Sequence, residues 1–238
     1  MRQAVRREGP LLPYAQFHIQ TTLSKEETHL MLMVMDIGNT NIVVGVHDGK
    51  EWIAHWRLSS SRSRTSDEFG IILGSMFQAG GVDMKAVKDI IVSTVVPPLL
   101  VPLCNMCKRY FGITPFVVTS NCNTGLKLDY DHPNEIGADR IVNAVAAHHM
   151  YGDKGNLIII DFGTATTFCA LRPDGEYLGG AIAPGIGIST EALFQKAAKL
   201  PRIELIKPKW PFAMIRSMPC AAVSSLVLLA KWTASLRV

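Results

Sequence analysis

Two short stretches of the chain place an acidic residue, a glycine and amide or hydroxyl side chains in the same order at the end of an apolar run. The first is Asp36-Ile37-Gly38-Asn39-Thr40-Asn41, which follows Met-Leu-Met-Val-Met and leads into Ile42-Val43-Val-Gly-Val. The second is Asp161-Phe-Gly163-Thr164-Ala-Thr-Thr167, which follows Leu157-Ile-Ile-Ile and leads into Phe-Cys-Ala-Leu. In turns of this type the glycine lets backbone N–H groups approach an anion, while Asn and Thr side chains offer further hydrogen bonds to phosphate oxygens. A carboxylate next to phosphate needs a cation between them, and magnesium fits that role. Either stretch alone reads equally as an ordinary hairpin. Their recurrence argues otherwise: Asp36 aligns with Asp161, Gly38 with Gly163, and the units close on Asp48-Gly49 and Asp174-Gly175.

A third group of reactive side chains is Gly137-Ala138-Asp139-Arg140, which opens the apolar run Ile141 to Met150. A charged motif at a helix start is a natural place for chemistry, although a surface ion pair would look the same. The chain has no Gly-x-x-x-x-Gly-Lys-Ser/Thr and no Gly-x-Gly-x-x-Gly after a predicted strand, so phosphate binding falls to the duplicated turns. Gly179-Gly180 through Pro184, Gly187 and Thr190 reads as a flexible, donor-rich stretch running into a helix, or as a structural turn. Cys104 and Cys107 form a lone CxxC without a second ligand pair, which favours ordinary thiols over zinc.

The elements that must position these groups follow from the patterning. Regular alternation begins at Met31 and gives strand, turn and strand. A helix is predicted from Ser66 through Phe77, with Asp67 and Glu68 in its first turn, and a strand from Ile90 to Val96, closed by Pro97-Pro98. Helix followed by strand is α/β wiring. Gly125 to Tyr130 reads as a short extended piece before the helix that Asp139 opens. The repeat implies two duplicated lobes with a cleft between them: residues 31–150 as the first, 151–209 as the second, with 1–30 an unassigned extension.

Composition narrows the function classes. In 238 residues, 48% hydrophobic and 18% charged, the profile is globular. The net charge of +4 is modest and the basic residues are dispersed, which disfavours nucleic acid as a partner and suits a small anion. Five cysteines, an odd number in a chain too large to need stapling, indicate a reducing compartment and a cytoplasmic protein. The first thirty residues carry no secretory apolar run. The apolar stretch Cys220 to Ala230 is far short of the roughly 20 residues that a membrane span needs, so no membrane association is expected.

The set Asp36-Ile-Gly-Asn-Thr-Asn41, Gly137-Ala-Asp-Arg140, Asp161-Phe-Gly-Thr-Ala-Thr-Thr167 and Gly179-Gly180-x-Ile-x-Pro184-Gly185 resembles the type III pantothenate kinases. The motifs occur in the family's order with near-family spacing over residues 31 to 209. Ser93-Thr-Val-Val-Pro97 and Leu200-Pro201 extend the likeness. The resemblance implies an actin-like ATPase, ribonuclease H-like fold, and transfer of the γ-phosphoryl of ATP to the 4′-hydroxyl of pantothenate, the first step towards coenzyme A. It implies that Asp36, Ile37, Gly38, Asn39, Thr40, Asn41, Ile42 and Val43 form the first nucleotide turn, with Asp36 near Mg2+, and that Thr164 touches ATP. It also implies that Asp161 binds a monovalent cation, K+ or NH4+, and that Asp139 is the general base. Tyr130, Gly137, Ala138, Asp139 and Arg140 would line the pantothenate pocket, and a homodimer is implied.

After Lys207-Pro-Lys209 the family pattern breaks. A tail with Trp210, Pro211, Pro219 and Cys220 stands where a Gly-Lys-Asn-Thr-like turn and a capped helix belong, as a shifted reading frame would produce. Residues 210–238 are therefore expected to be aberrant and the second lobe incomplete. Ile215 or Arg216 falls near the position of the family's substrate-binding threonine, so the pantothenate pocket is expected to be impaired and apolar strand surface left uncovered. Two other readings stay open: a nucleotide-binding regulatory protein of the Bvg accessory factor kind, without kinase activity, and another actin-like sugar or acetate kinase.

Overall fold

The structure, a computed structural model, describes residues 31–128 and 135–196. Tyr130, the N-terminal thirty residues, Leu200-Pro201 and the tail after Lys209 lie outside the described residues. The chain divides into two units, one running to Thr124 and resuming up to Met150, the other holding 125–131 and everything from Tyr151 onward.

In the first unit, β1 (Met31–Ile37), β2 (Asn41–His47) and β3 (Trp52–Ser59) form an antiparallel meander. Then come α1 (Ser66–Ala79), β4 (Val87–Thr94), α2 (Pro97–Met106), β5 (Phe116–Val117) and α3 (Ala138–Tyr151). The sheet order is β3-β2-β1-β4-β5, with β4 parallel to β1 and β5 parallel to β4. Alternation decides the faces. Met33, Met35 and Ile37 of β1 and Ile42, Val44 and Val46 of β2 are buried, while Asp36, out of phase with them, is exposed. Phe69, Leu73 and Phe77 of α1 and Leu99, Leu103 and Met106 of α2 complete that core, at spacings that keep each set on one helix face.

Helix α1 starts in a capping box. The Thr65 hydroxyl accepts the Glu68 N–H, and the Glu68 carboxylate accepts the Thr65 N–H at 2.6 Å. That bond holds the Glu68 carboxyl below its usual range. Further along α1, buried Gly70 makes room for the Tyr110 ring, whose hydroxyl donates to Asp67 at 3.0 Å. A Cβ at position 70 would collide with that tethered ring. Alanine gains about 1 kcal/mol of helix propensity over glycine, against about 1–3 kcal/mol for overpacking. Gly70→Ala is therefore expected to be a net loss of about 1 kcal/mol, read as a lower midpoint in thermal unfolding.

The second unit repeats the meander with β6 (Leu157–Phe162), β7 (Ala165–Leu171) and β8 (Tyr177–Pro184), antiparallel in the order β6-β7-β8, followed by α4 (Ile186–Lys196). Its buried residues include Cys169, Leu171 and Tyr177, with the Tyr177 hydroxyl against the Cys169 sulfur at 3.2 Å. Ile158, Phe162 and Ile182 are more than half exposed on its strands. Lys127 makes a parallel bridge to Glu176 and an ion pair with Asp174, so the segment after Gly125 packs with this unit.

Three elements differ from the sequence expectation. Pro97-Pro98 does not merely end a strand: it opens α2 at the first helical positions, where a missing N–H costs nothing. The glycine-rich run at Gly179-Gly180 is not a flexible stretch but the interior of β8, because its N–H and C=O groups pair with β7 and Gly179, at φ 110°, absorbs the register shift. Strand β3 was not anticipated. Cys107 is fully buried and burial pushes its thiol up to about 12; burial also raises the Cys104 thiol. No group of three His, Cys, Asp or Glu gathers to hold a metal among the described residues.

Candidate active site

In the first unit the nucleotide-turn candidates occupy the β1–β2 connection. Asp36 is the penultimate residue of β1, paired with Val43 on one side and Ser93 of β4 on the other. The Gly38 N–H donates to the Asn41 carbonyl at 3.0 Å, closing a turn whose tip, Asn39 and Thr40, is exposed. Ser60 buttresses the turn from behind: its hydroxyl donates to the Gly38 carbonyl at 2.6 Å and its N–H to the Thr40 carbonyl at 3.0 Å. The side chains of Ile37 and Ile42 are fully buried in the core, so those two residues have only backbone to offer a ligand.

The end of β4 lies beside this turn. The Val95 N–H donates to the Ile37 carbonyl at 3.1 Å, continuing the parallel ladder one step past the strand. Thr94 accepts the Val96 N–H at 3.0 Å on its side-chain oxygen, and Pro97 starts α2 at once, so the Thr94–Pro97 strap has little freedom. Ser93 is 5% exposed, and its hydroxyl has no hydrogen-bond partner among the described residues.

Asp139 stands in the first turn of α3, half buried. Its Oδ1 accepts the Arg140 N–H at 2.7 Å, and that N–H also reaches the Gly137 carbonyl at 3.0 Å. The carboxylate lies over the bare Cα of Gly137. A Cβ there would run into Asp139 Oδ1 and would stand 3.3 Å from Val95 Cγ1. Gly137, Ala138, Asp139 and Arg140 are thus gathered at one helix end, where the N-terminal dipole favours negative charge. Tyr130, the other candidate for the same pocket, lies outside the described residues.

The second unit has a tighter turn at the corresponding place. Asp161 is the penultimate residue of β6, half buried and paired with Thr167. The Gly163 N–H donates to the Ala165 carbonyl at 2.9 Å, and Thr164 alone forms the exposed tip, where the first turn has Asn39 and Thr40. Gly185, just before α4, presses against this turn: its N–H donates to the Thr164 carbonyl at 3.0 Å, and a Cβ on it would strike the Gly163 and Thr164 carbonyls.

Sequence reasoning missed Ser60, Ser93 and Gly185 as supports of the turns. Ser93 stood inside a motif already noted, and Gly185 closed another; Ser60, twenty-two residues from its partner Gly38, gave no signal.

A five-stranded 3-2-1-4-5 sheet whose first hairpin carries an acidic, glycine-bearing turn, together with a second unit that repeats that hairpin, defines an α/β protein of the actin-like, ribonuclease H-like class. The family model for type III pantothenate kinase matches residues 32–227, a match that runs past Lys209 into the tail. The chain is 53% identical over 178 residues to "Type III pantothenate kinase" of Geobacillus kaustophilus, covering 75% of this chain and 68% of that one. It is 51% identical over 179 residues to the protein of the same description from Exiguobacterium sibiricum, covering 75% and 70%. The chain belongs to the type III pantothenate kinase family. Among solved structures it is similar to the type II variant of the Ppx/GppA phosphatase of Aquifex aeolicus (13% identity, TM-score 0.44, 70% of this chain and 56% of that chain). It is also similar to the ROK hexokinase of Thermus thermophilus (15% identity, TM-score 0.35, 63% and 48%).

Proposed function

We propose that this chain transfers the γ-phosphoryl group of ATP to the 4′-hydroxyl of pantothenate, with Asp139 as general base. The observation that carries the reading is the state of the Asp139 carboxylate in a chain of this family. One oxygen is engaged by the Arg140 N–H at 2.7 Å, and no other hydrogen bond to the carboxylate is made among the described residues. A carboxylate held at one oxygen, with the other engaged by none of the described residues, suits proton acceptance from an alcohol. As the pantothenate oxygen bonds to the γ-phosphorus, its proton passes to Asp139. The bond from phosphorus to the bridging oxygen breaks, and ADP leaves with that electron pair. Arg140 offers planar donors to the pantothenate carboxylate or to a phosphate oxygen.

The backbone of Gly38 to Asn41 and the side chains of Asn39 and Thr40 would receive the phosphates, with Thr164 a further ATP contact from the second turn. The donors present fit the expected cations. Asp36 and Asp161 are hard oxygen ligands, and magnesium is commonly held by one or two carboxylates with waters and substrate phosphates rather than by a protein cage. Asp36 would hold magnesium and Asp161 the monovalent ion, K+ or NH4+. The chemistry so supplied is charge neutralisation at the phosphate oxygens. The same reading carries a cytoplasmic homodimer, which light scattering on the purified protein checks. No helix among the described residues is long and apolar enough to cross a membrane.

ATP consumption by the purified chain should depend on both pantothenate and potassium and yield 4′-phosphopantothenate. The tail after Lys209 is proposed to depress the rate, so a version carrying the family's C-terminal sequence should be faster. ATP turnover indifferent to pantothenate in both versions would end the kinase reading, and equal rates would end the reading of the tail.

A further inference from the structure

Val95 touches both halves of the candidate machinery in the first unit. Its amide is tied to the nucleotide turn through the Ile37 carbonyl at 3.1 Å. Its side chain borders Gly137, on which the Asp139 carboxylate also lies: a Cβ at Gly137 would run into Asp139 Oδ1 and would stand 3.3 Å from Val95 Cγ1. The carboxylate therefore lies on a bare glycine, held by the Arg140 N–H, with a Val95 methyl beside the same glycine. Val95 itself can move little. The Thr94 side-chain oxygen accepts the N–H of the next residue, and Pro97-Pro98 fixes the strap into α2.

We propose that Val95 is a positioning residue, which sets the aim of the Asp139 carboxylate relative to the nucleotide turn by bracing the surface of Gly137 while its backbone anchors that turn. The proposal rests on Asp139 being the base. It gives the Ser93-Thr-Val-Val-Pro97 stretch a task that its position at the end of a strand does not explain. Because the two contacts use different parts of Val95, they can be separated. Val95→Ala keeps the amide bond to Ile37 and removes only the methyl groups, so nucleotide binding should persist while Gly137 loses its brace.

The test compares Val95→Ala, Val95→Ile, Asp139→Asn and Val92→Ala in the full chain. Val92→Ala makes the same truncation in the buried core of β4 and serves as the control for stability. Val95→Ala is expected to lower kcat roughly ten- to a hundred-fold, the scale of a small misplacement of a reacting group, with KM for ATP unchanged. Val95→Ile, which keeps both branches on Cβ, should restore it. Val92→Ala should lower the thermal midpoint and leave kcat alone. A readout independent of turnover is amide hydrogen exchange: in Val95→Ala the Arg140 N–H, which donates to Asp139, should exchange faster relative to the neighbouring Ile141 N–H, which donates to the Gly137 carbonyl at 3.2 Å. A kcat in Val95→Ala no lower than in Val92→Ala, a loss confined to KM for ATP, or an unchanged Arg140-to-Ile141 exchange ratio overturns the proposal. Full turnover by Asp139→Asn would remove the base assignment and this inference with it. Loss in Asp139→Asn beside normal kcat in Val95→Ala removes this inference only.

Discussion

Asp139→Asn should lower the rate of pantothenate phosphorylation by about 10²- to 10⁴-fold, the usual contribution of a positioned general base, while the protein keeps its fold and its affinity for ATP. The substitution is nearly isosteric. An asparagine oxygen can still accept the Arg140 N–H that Oδ1 accepts at 2.7 Å, so the first turn of α3 should remain capped and the side chain should stay over Gly137. What disappears is the ability to take a proton at the other oxygen. Single-turnover kinetics with saturating ATP isolate that step. A rate within about threefold of the unaltered chain, far short of the loss expected when a base is removed, would mean that the alcohol reacts without Asp139 and that the carboxylate is only a helix cap.

The parts of the molecule legible from sequence were those where one residue type has one structural use. Asp36 and Asp161 could be aligned because each ends an apolar strand and is followed by a glycine. The structure gives both the same penultimate position and has each glycine N–H bond across its turn, Gly38 to Asn41 over a two-residue tip and Gly163 to Ala165 over a one-residue tip. Helix α1 was readable from its acidic first turn and its apolar period. The misreadings came from residues whose meaning depends on distant partners. Glycines and alanines at 179–183 look like a loop until β7 supplies a ladder for them. Pro97 signals both a strand's end and a helix's first turn, and only the apolar face at Leu99, Leu103 and Met106, packed on the first unit's sheet, selects the second meaning. Ser60 and Val95 act on the nucleotide turn through long-range backbone contacts, which no local pattern announces. The candidate base was found by family likeness, whereas the reason it can sit where it does, the missing side chain of Gly137, required coordinates.

Gly185→Ala should do more damage than any other small substitution in the second unit, because the new methyl would meet backbone rather than a movable side chain. The Gly163 and Thr164 carbonyl oxygens lie within impossible range of a Cβ at that position, and the Thr164 carbonyl carbon is at 2.8 Å. A side chain could rotate away; two consecutive peptide units cannot, since Gly163 is bonded to Ala165 and the Thr164 carbonyl to the Gly185 amide. Relief must come from moving the turn or the start of α4, where the Ser189 N–H donates to the Gly185 carbonyl at 2.9 Å. Overpacking of this kind costs about 3 kcal/mol, the upper part of the usual range, and for a chain of this size that lowers the melting temperature by roughly 6–12 °C. The functional loss should be sharper than the thermal one. Thr164 sits on the displaced turn, so ATP should no longer raise the melting temperature of the variant as it does that of the unaltered protein, by the mass-action stabilisation that any native-state ligand provides. Gly187→Ala is the matched control, because a Cβ there meets nothing within 4 Å and should leave both the melting temperature and the ATP-induced shift close to their original values. If Gly185→Ala retained the full ATP-induced shift, the turn at Thr164 would have no part in holding the nucleotide, and the duplicated-turn account of phosphate binding would reduce to the first turn alone.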